Sequence, residues 1–198
     1  MMLPDRTWIV EGLVTSLDSA GVVNLAPMGP RVGPEFERLL LRPFPGSQTY
    51  CNLQATGQGV FHVTDDVLLL ARAAIGQVEP PPPLRPASQV RGWVLADACR
   101  SHEFEVESMT PTDMRVEVWV RVVGQQRHRD FLGLNRAKFA VVEAAIQATR
   151  LHLLPRNEIE ADLERWRTLV EKTGAAEEHH ALELLESHIR RFWTEAGS

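Results

Sequence analysis

The sequence predicts a mainly β protein with an α part: an antiparallel β-barrel followed by a C-terminal helical hairpin or small bundle. Three observations support this fold class. Several β-type runs follow one another in the first part of the chain, one long run alternates between apolar and mostly charged residues, and the apolar period becomes helical after Gly133. We therefore predict two domains, with residues 1–130 forming the barrel and residues 131–198 forming the helical subdomain.

The bulk composition predicts one core with an appendage and argues against several classes of binding partner. It has 198 residues, of which 44% are hydrophobic, and a net charge of -5. This charge offers no field that would attract nucleic acid or an anionic membrane. No apolar stretch approaches the roughly 18–20 residues of a membrane span. Two distant cysteines and an N-terminus without a signal-peptide pattern predict a reduced, cytoplasmic protein.

The first strands follow from turn signals. Residues 8–17 form a β-type run that ends in a turn cluster at 18–21, and residues 22–26 return as a second apolar run, so the pair predicts a hairpin. A third strand is predicted at 38–42, where three leucines stand together. Pro43 and Pro45 end it, because proline offers no donor to a strand ladder.

Two helices flank the next core strand. Ser47 is a cap-like residue before a short helix that ends at Gly57, and residues 60–63 read as a core strand. Asp65 and Asp66 supply cap candidates for a second helix that Gly76 ends. The four prolines at 80–83 then predict a stiff extended loop.

Residues 90–126 predict two long strands joined at 109–113. The apolar face of the second strand is expected to carry Met114, Val116, Val118, Val120 and Val122. Its other face is expected to carry Arg115, Glu117, Trp119 and Arg121. On the first strand the outward residues would be Glu103, Glu105 and Glu107, so acidic and basic side chains would pair across the outer faces.

The C-terminal part predicts three helices. The first spans 135–154 and ends before Pro155, and Asn157 is expected to cap the second, which Gly174 stops. The third spans 176–195. The apolar stripes of the second and third helices consist of Ile159, Leu163, Trp166 and Val170, and of Leu182, Leu185, Ile189 and Phe192.

Short polar side chains are concentrated between the third strand and the following core strand. They are Arg42, Ser47, Gln48, Thr49 and Asn52. Such donors, with one positive charge and the amides of a helix N-terminus, suit a phosphate group. The alternative is structural, with Ser47 capping the helix and Asn52 satisfying a turn.

Three short motifs resemble those of the flavin-binding split-barrel proteins. They are Asn24-Leu25-Ala26-Pro27-Met28-Gly29, Thr49-Tyr50-Cys51-Asn52 and Gly59-Val60-Phe61-His62-Val63. With Asp65-Asp66 and with Asn135-Arg136-Ala137-Lys138, the chain looks most like the domain-of-unknown-function family number 447, whose members are flavin-reductase-like split β-barrels with a helical C-terminal part. The similarity covers nearly the whole chain.

This resemblance implies a homodimer with FMN at the subunit interface. The ring would lie against the early strand at Asn24, Ala26, Pro27, Met28 and Gly29. The phosphate and ribityl chain would lie beside Ser47, Gln48, Thr49 and Asn52, with Arg42 as the charge partner. Arg136 and Lys138 would complete the anion site, and the alternative for these two is an ordinary solvated helix face.

Other constellations favour structural roles. His180 and Glu183 have helical spacing, but His179 and His188 add no third ligand to that face, so no metal site is predicted. Cys51 is expected to be a buried inert thiol and His62 a satisfied core histidine. Residues 29–34 depart from the Ser-x-x-Pro-Pro-type loop of related flavin reductases, which leaves nicotinamide binding open.

Two functions remain after these exclusions. The first is an FMN-dependent oxidoreductase of unknown substrate, in which the cofactor supplies the redox chemistry. The second is a non-catalytic protein that stores, senses or delivers a flavin or nucleotide, favoured by the lack of a catalytic constellation. A dimeric scaffold without a cofactor is a third alternative, because a barrel alone does not specify function.

Overall fold

The protein, analysed as a computed structural model, is described over residues 6–196. The expectation of no signal peptide rests partly on residues 1–5, which lie outside that range. Two compact units divide the chain: the first contains the chain up to Thr64 together with Pro82–Phe131, and the second contains Asp65–Pro81 together with the chain from Leu132. Residues 65–81, predicted as part of the barrel domain, therefore group with the C-terminal helices.

The first unit is built on an antiparallel sheet. Within residues 6–196 its strands are β1 (Trp8–Ile9), β2 (Gly12–Leu17), β3 (Val23–Met28), β4 (Arg31–Val32), β5 (Arg38–Leu41), β6 (Gln58–Val63), β7 (Leu84–Pro86), β8 (Trp93–Leu95), β9 (Arg100–Pro111) and β10 (Val116–Arg127). Eight of these described strands form one curled sheet in the order β1-β4-β5-β10-β9-β6-β2-β3, and β7 pairs with β8. The predicted antiparallel barrel is confirmed.

The predicted hairpin and the predicted helix at the polar segment are both confirmed. β2 pairs with β3 from Gly12 opposite Met28 to Leu17 opposite Val23. Helix α1 (Gln48–Thr56) begins after Ser47, whose hydroxyl accepts from Tyr50 N, and ends at Gly57 in the left-handed conformation with a φ of 68°. These local signals position α1 between β5 and β6 along the chain.

The alternation predicted for β10 is confirmed at its centre and wrong at its start. Val116, Val118 and Val120 are at most 2% exposed and pack in the core with Phe61 and with the residues Val14, Val32, Leu39, Leu41, Leu53 and Phe104. Met114 is 77% exposed, because Thr112 N donates to Arg115 O and closes a turn before the strand begins.

The partner strand begins later than predicted. β9 starts at Arg100 rather than near residue 90, because Trp93–Leu95 forms the separate strand β8. Glu103, which we expected on the outer face, is 4% exposed. Its carboxylate accepts from Ser88 N, Ser88 Oγ, Gln89 N and Val90 N, at 2.5 to 3.2 Å. The carboxylate thus fixes the loop before β8, so the outer-face expectation is wrong for this residue.

Replacing Glu103 with Gln is expected to lower the free energy of unfolding by about 2–3 kcal/mol, because a carboxamide would turn a donor toward a set of backbone donors. Burial alone would raise the pKa of Glu103, but the Ser88, Gln89 and Val90 hydrogen bonds outweigh it and lower that pKa. The stabilisation is present above the unfolded pKa and is lost as the pH falls through the folded pKa. Urea unfolding at pH 7 measures the loss.

Glu105→Gln is the matched control, since Glu105 pairs with Arg121 at the surface over 3.0 Å. It should change stability by less than about 1 kcal/mol. Equal losses in both variants would contradict the anchoring role of the buried carboxylate.

The second unit is helical. Its described helices are α2 (Val67–Ala74), α3 (Arg136–Ala148), α4 (Arg156–Thr173) and α5 (Ala176–Ala196). Asp66 caps α2 as predicted, with Leu69 N donating to Oδ1 over 2.8 Å. The Asn157 cap is wrong, because α4 begins at Arg156 and the cap position is Pro155, two residues earlier. The predicted stripes are buried at Ile159, Leu163, Trp166, Val170, Leu182, Leu185 and Ile189. Each described helix is too short or too polar to cross a bilayer.

Candidate functional site

Five polar side chains on α1 and the β2–β3 hairpin form two neighbouring hydrogen-bonded sets, called together the α1 cluster. The Asn24 amide donates to the Thr49 hydroxyl over 3.1 Å, and the Asn52 amide donates to the Ser16 hydroxyl over 3.1 Å. The Gln48 amide donates to Asn52 Oδ1 over 2.6 Å. Thr49 and Asn52 are 3% and 1% exposed. Because buried polar groups must be satisfied, the cluster fixes α1 against the hairpin.

The N-terminus of α1 offers free donors. Ser47 Oγ accepts from Tyr50 N, and this leaves the amides of Gln48 and Thr49 outside the intrahelical pattern. The first turn carries no acidic residue. The helix dipole therefore favours an anion here, and no carboxylate of that turn competes for the position.

Among the described strands, β3 lies at one edge of the sheet and is hydrogen-bonded to β2 alone. Asp18 N donates to Val22 O at the hairpin turn, so the hydrogen-bonded pairs of this ladder involve every second residue from there. The backbone groups of Val23, Leu25 and Pro27 consequently point away from β2. This edge can receive a planar ligand or a second chain through main-chain hydrogen bonds.

The proposed ring-facing residues lie along this edge. Ala26, Pro27, Met28 and Gly29 are all half-buried, and Met28 packs against the barrel core. A Cβ on Gly29 would lie 2.5 Å from the Glu11 carboxylate, so a larger residue here would displace the end of that exposed side chain. The structure thus brings Asn24 and these residues onto one strand beside α1.

The three proposed cations have different surroundings. Arg42 is exposed after β5, and its guanidinium makes no ion pair with a described residue, as is also true of Arg136 at the start of α3. Lys138 lies in the second unit, where its ammonium contacts Glu178 Oε1 over 2.7 Å and Asp65 O over 2.8 Å. Two of its three donors are therefore already used.

The partner of Lys138 is a buried carboxylate. Glu178 is 4% exposed and also accepts from Ala175 N over 2.8 Å. Burial alone would raise the pKa of Glu178, but the hydrogen bonds from Lys138 and Ala175 N outweigh it and lower that pKa. This pair joins α3 to the start of α5.

Two other sequence expectations have clear outcomes. His62 is fully buried, its Nδ1 donates to Leu13 O over 3.2 Å and its Nε2 accepts from Leu95 N over 3.1 Å, so the satisfied core histidine is confirmed. Cys51 is exposed on α1, so the expectation of a buried thiol is wrong. Among the described residues, no three His, Cys, Asp or Glu side chains are arranged to hold a metal ion.

The sequence did not predict Ser16 or Arg115 as residues of the candidate site. Ser16 is 2% exposed in β2 and receives the Asn52 amide. A serine inside a largely apolar strand was an available signal, because it must find a partner when buried. Arg115 donates to the Arg42 carbonyl, and its neighbours in the sequence gave no sign of that contact.

The curled sheet and the flanking helix define the class of protein as a flavin reductase-like split barrel. Two solved structures share this fold at a TM-score of 0.51. They are 2-nitrobenzoate 2-nitroreductase from Pseudomonas fluorescens, 20% identical over 60% of this chain and 64% of that chain, and the styrene monooxygenase flavin reductase from Pseudomonas putida S12, 14% identical over 61% and 82%. A search of curated protein sequences gives no match.

The chain belongs to the family described as protein of unknown function DUF447. Its N-terminal domain model matches residues 10–129, and the second model of the family matches residues 135–187. The predicted family is confirmed. A crystal structure of an FMN-bound protein of the same family, from Methanosarcina mazei, is 23% identical, covers 92% of this chain and 96% of that chain, and superposes with a TM-score of 0.79.

Proposed function

We propose that this protein binds FMN, with the phosphate at the N-terminus of α1 and the ring along β3. The observation that carries the proposal is the α1 cluster, in which buried Asn52 and Thr49 hold the helix start beside the edge strand. The FMN bound to the family member from Methanosarcina mazei supports the same ligand here. The residues present fit the group in both charge and shape.

The phosphate end fits the donor set at α1. Hydrogen bonds and positive charge would come from the amides of Gln48 and Thr49, the Ser47 and Gln48 side chains and the exposed Arg42 guanidinium. Arg136 and Lys138 remain proposed as further cations. Lys138 would contribute its third donor while it keeps its ion pair with Glu178.

The ring end fits the edge of β3. The backbone of Leu25 and Pro27 points outward, and the small Ala26 side chain and the absence of a side chain at Gly29 would let a flat ring approach the strand. We propose further that two copies form a homodimer with FMN at their interface. The apolar residues Val22 and Val23, 63% and 37% exposed at this edge, support contact with a second copy. Light scattering with and without FMN tests the dimer.

Bound FMN would supply hydride or single-electron transfer, and the chain would bind the cofactor, orient it and exclude water from it. We infer a flavin-dependent oxidoreductase, because the fold is shared with a nitroreductase and a flavin reductase. A specific observation favours the non-catalytic alternative: the α1 cluster consists of amides and hydroxyls, with no acid or base.

We place the protein in the reducing cytoplasm, consistent with its two free cysteines.

The first experiment is an absorbance spectrum of the purified protein, repeated after FMN is added and the excess is removed. Bands near about 370 and about 450 nm, where oxidised flavins absorb, are expected. A protein that retains no FMN would contradict the proposal. If FMN is retained, anaerobic addition of NADH or NADPH separates the two functions, because a flavin that neither can reduce would exclude the simplest oxidoreductase.

A further inference from the structure

Arg115 stands at the beginning of β10, where the alternation predicted an outward side chain paired with a glutamate of β9. On that surface Arg121 pairs with Glu105 over 3.0 Å, and Arg38 pairs with Glu107 over 3.2 Å. Arg115 is half-buried and is directed to a different part of the barrel. Its position therefore needs a separate explanation.

The Arg115 guanidinium holds the turn that follows β5. Its Nη1 donates to the Arg42 carbonyl over 3.2 Å, and its central carbon lies 3.3 Å from the centre of the Phe44 ring. Thr112 fixes the Arg115 backbone from the other side, because its hydroxyl donates to Arg115 O over 2.8 Å. Val116 N donates to Pro43 O over 3.0 Å and ties the same turn to β10. A planar guanidinium can make both contacts at once.

This turn leads directly into the helix start that forms the candidate site. Ser47 N donates to Phe44 O over 3.2 Å, and Ser47 caps α1. Arg42 therefore has an anchored backbone and an exposed side chain that makes no ion pair with a described residue. An exposed arginine loses conformational entropy when it binds an anion. A fixed backbone makes this loss smaller, because fewer conformations are open to the side chain before binding.

We propose that Arg115 is a positioning residue of the phosphate subsite, which acts by holding Arg42 in place for an anionic ligand. The proposal rests on the proposed function, because it takes the phosphate of FMN as that anion. Arg115 itself is not expected to contact the phosphate, since its guanidinium is committed to the Arg42 carbonyl and the Phe44 ring. Its effect should depend on the presence of Arg42.

The test compares the affinities of FMN and riboflavin, which lacks the phosphate, for the full chain by flavin fluorescence titration. In Arg115→Met the ratio of FMN to riboflavin affinity should fall about fivefold, with riboflavin affinity unchanged. Arg115→Lys should show a similar fall, because lysine keeps the charge but cannot both stack flat and reach the carbonyl. Arg42→Met should lower the ratio about tenfold, and the double variant should fall little further.

Arg121→Met is the matched control, since it removes an arginine of the same strand that pairs with Glu105. Its affinity ratio should match the wild-type ratio. The inference is overturned if Arg115→Lys keeps the wild-type ratio, or if the losses of Arg42→Met and Arg115→Met simply add. If the wild-type protein binds no FMN, the proposed function fails as well, whereas wild-type binding with an unchanged ratio in both Arg115 variants overturns this inference alone.

Discussion

The double variant Thr49→Ala/Asn52→Ala is expected to lose at least about 30-fold in FMN affinity, equivalent to ~2 kcal/mol. The two substitutions leave the Asn24 amide, the Ser16 hydroxyl and the Gln48 amide without their partners in the α1 cluster. Ser16 is the buried member of this set, and a buried group left unsatisfied costs about 1–3 kcal/mol, so the start of α1 should move from its position beside β3. Equilibrium titration of FMN fluorescence measures the change.

Gln54→Ala is the control, because Gln54 is exposed on the same helix. It should bind FMN as the wild-type protein does. Circular dichroism and a melting curve establish that the double variant is folded, and Thr49→Ser/Asn52→Ala provides a milder form that keeps one hydroxyl for Asn24. A folded double variant with wild-type FMN affinity would show that residues 47–52 do not form the cofactor site.

Local chemistry made the start of α1 predictable from sequence. Ser47 and Gly57 delimit a helix because a hydroxyl caps its amides and glycine tolerates the left-handed conformation at its end. The β2–β3 hairpin follows equally from its turn residues, and the Asp18 side chain accepts from Val22 N over 2.8 Å. These features depend on residues a few positions apart, and such spacing is visible in a single sequence.

The errors occur where distant residues meet. Glu103 looked like an outward residue of an alternating strand, but three amides of the loop at 88–90 surround it. Arg115 contacts Arg42, 73 positions away, and Ser16 contacts Asn52, 36 positions away. A period of two identifies the faces of a strand, but it cannot show which loop covers one of them. The candidate site was thus predicted by residue type and completed only by tertiary contacts.

The identity of the cap of α4 depended on competing local signals. Asn157 is a strong cap type, yet the cap position is two residues earlier, at Pro155 with its φ of -63°. Proline favours such a position because its ring presets the backbone for a following helix. Sequence alone ranks these two signals poorly, since either residue can lie at a helix start.

Two buried histidines predict acid sensitivity of the fold. Burial lowers the pKa of His62 to about 3, with smaller contributions from His128 and His102, and the Leu13 carbonyl opposes this shift. Burial, followed by the charge of Arg100, lowers the pKa of His102 to about 4. Both are neutral in the folded protein at pH 7.

The unfolded chain binds protons at these histidines below a pH of about 6.5. The free energy of unfolding should therefore fall as the pH drops from about 6.5 toward the folded pKa values of His62 and His102. Below those folded pKa values the two histidines should cause no further loss of stability. In the pH range where both histidines are protonated only in the unfolded chain, these two protons change the free energy of unfolding by at most ~2.7 kcal/mol per pH unit.

His102→Phe isolates one of these protons. The His102 ring is 2% exposed, stacks on Phe36 with 4.6 Å between ring centres, and neither ring nitrogen has a hydrogen-bond partner among the described residues. Phenylalanine keeps the stacking and removes two unsatisfied polar atoms. Between pH 7.5 and pH 5 the variant should lose about 2 kcal/mol less stability than the wild-type protein, measured by urea unfolding at each pH.

His152→Phe is the matched control, because His152 is exposed. This variant should show the wild-type pH dependence. If His102→Phe and His152→Phe both retain the wild-type slope, a water or a local opening must protonate His102 in the folded state. The barrel interior beside Phe36 would then be accessible to solvent, contrary to the packing described.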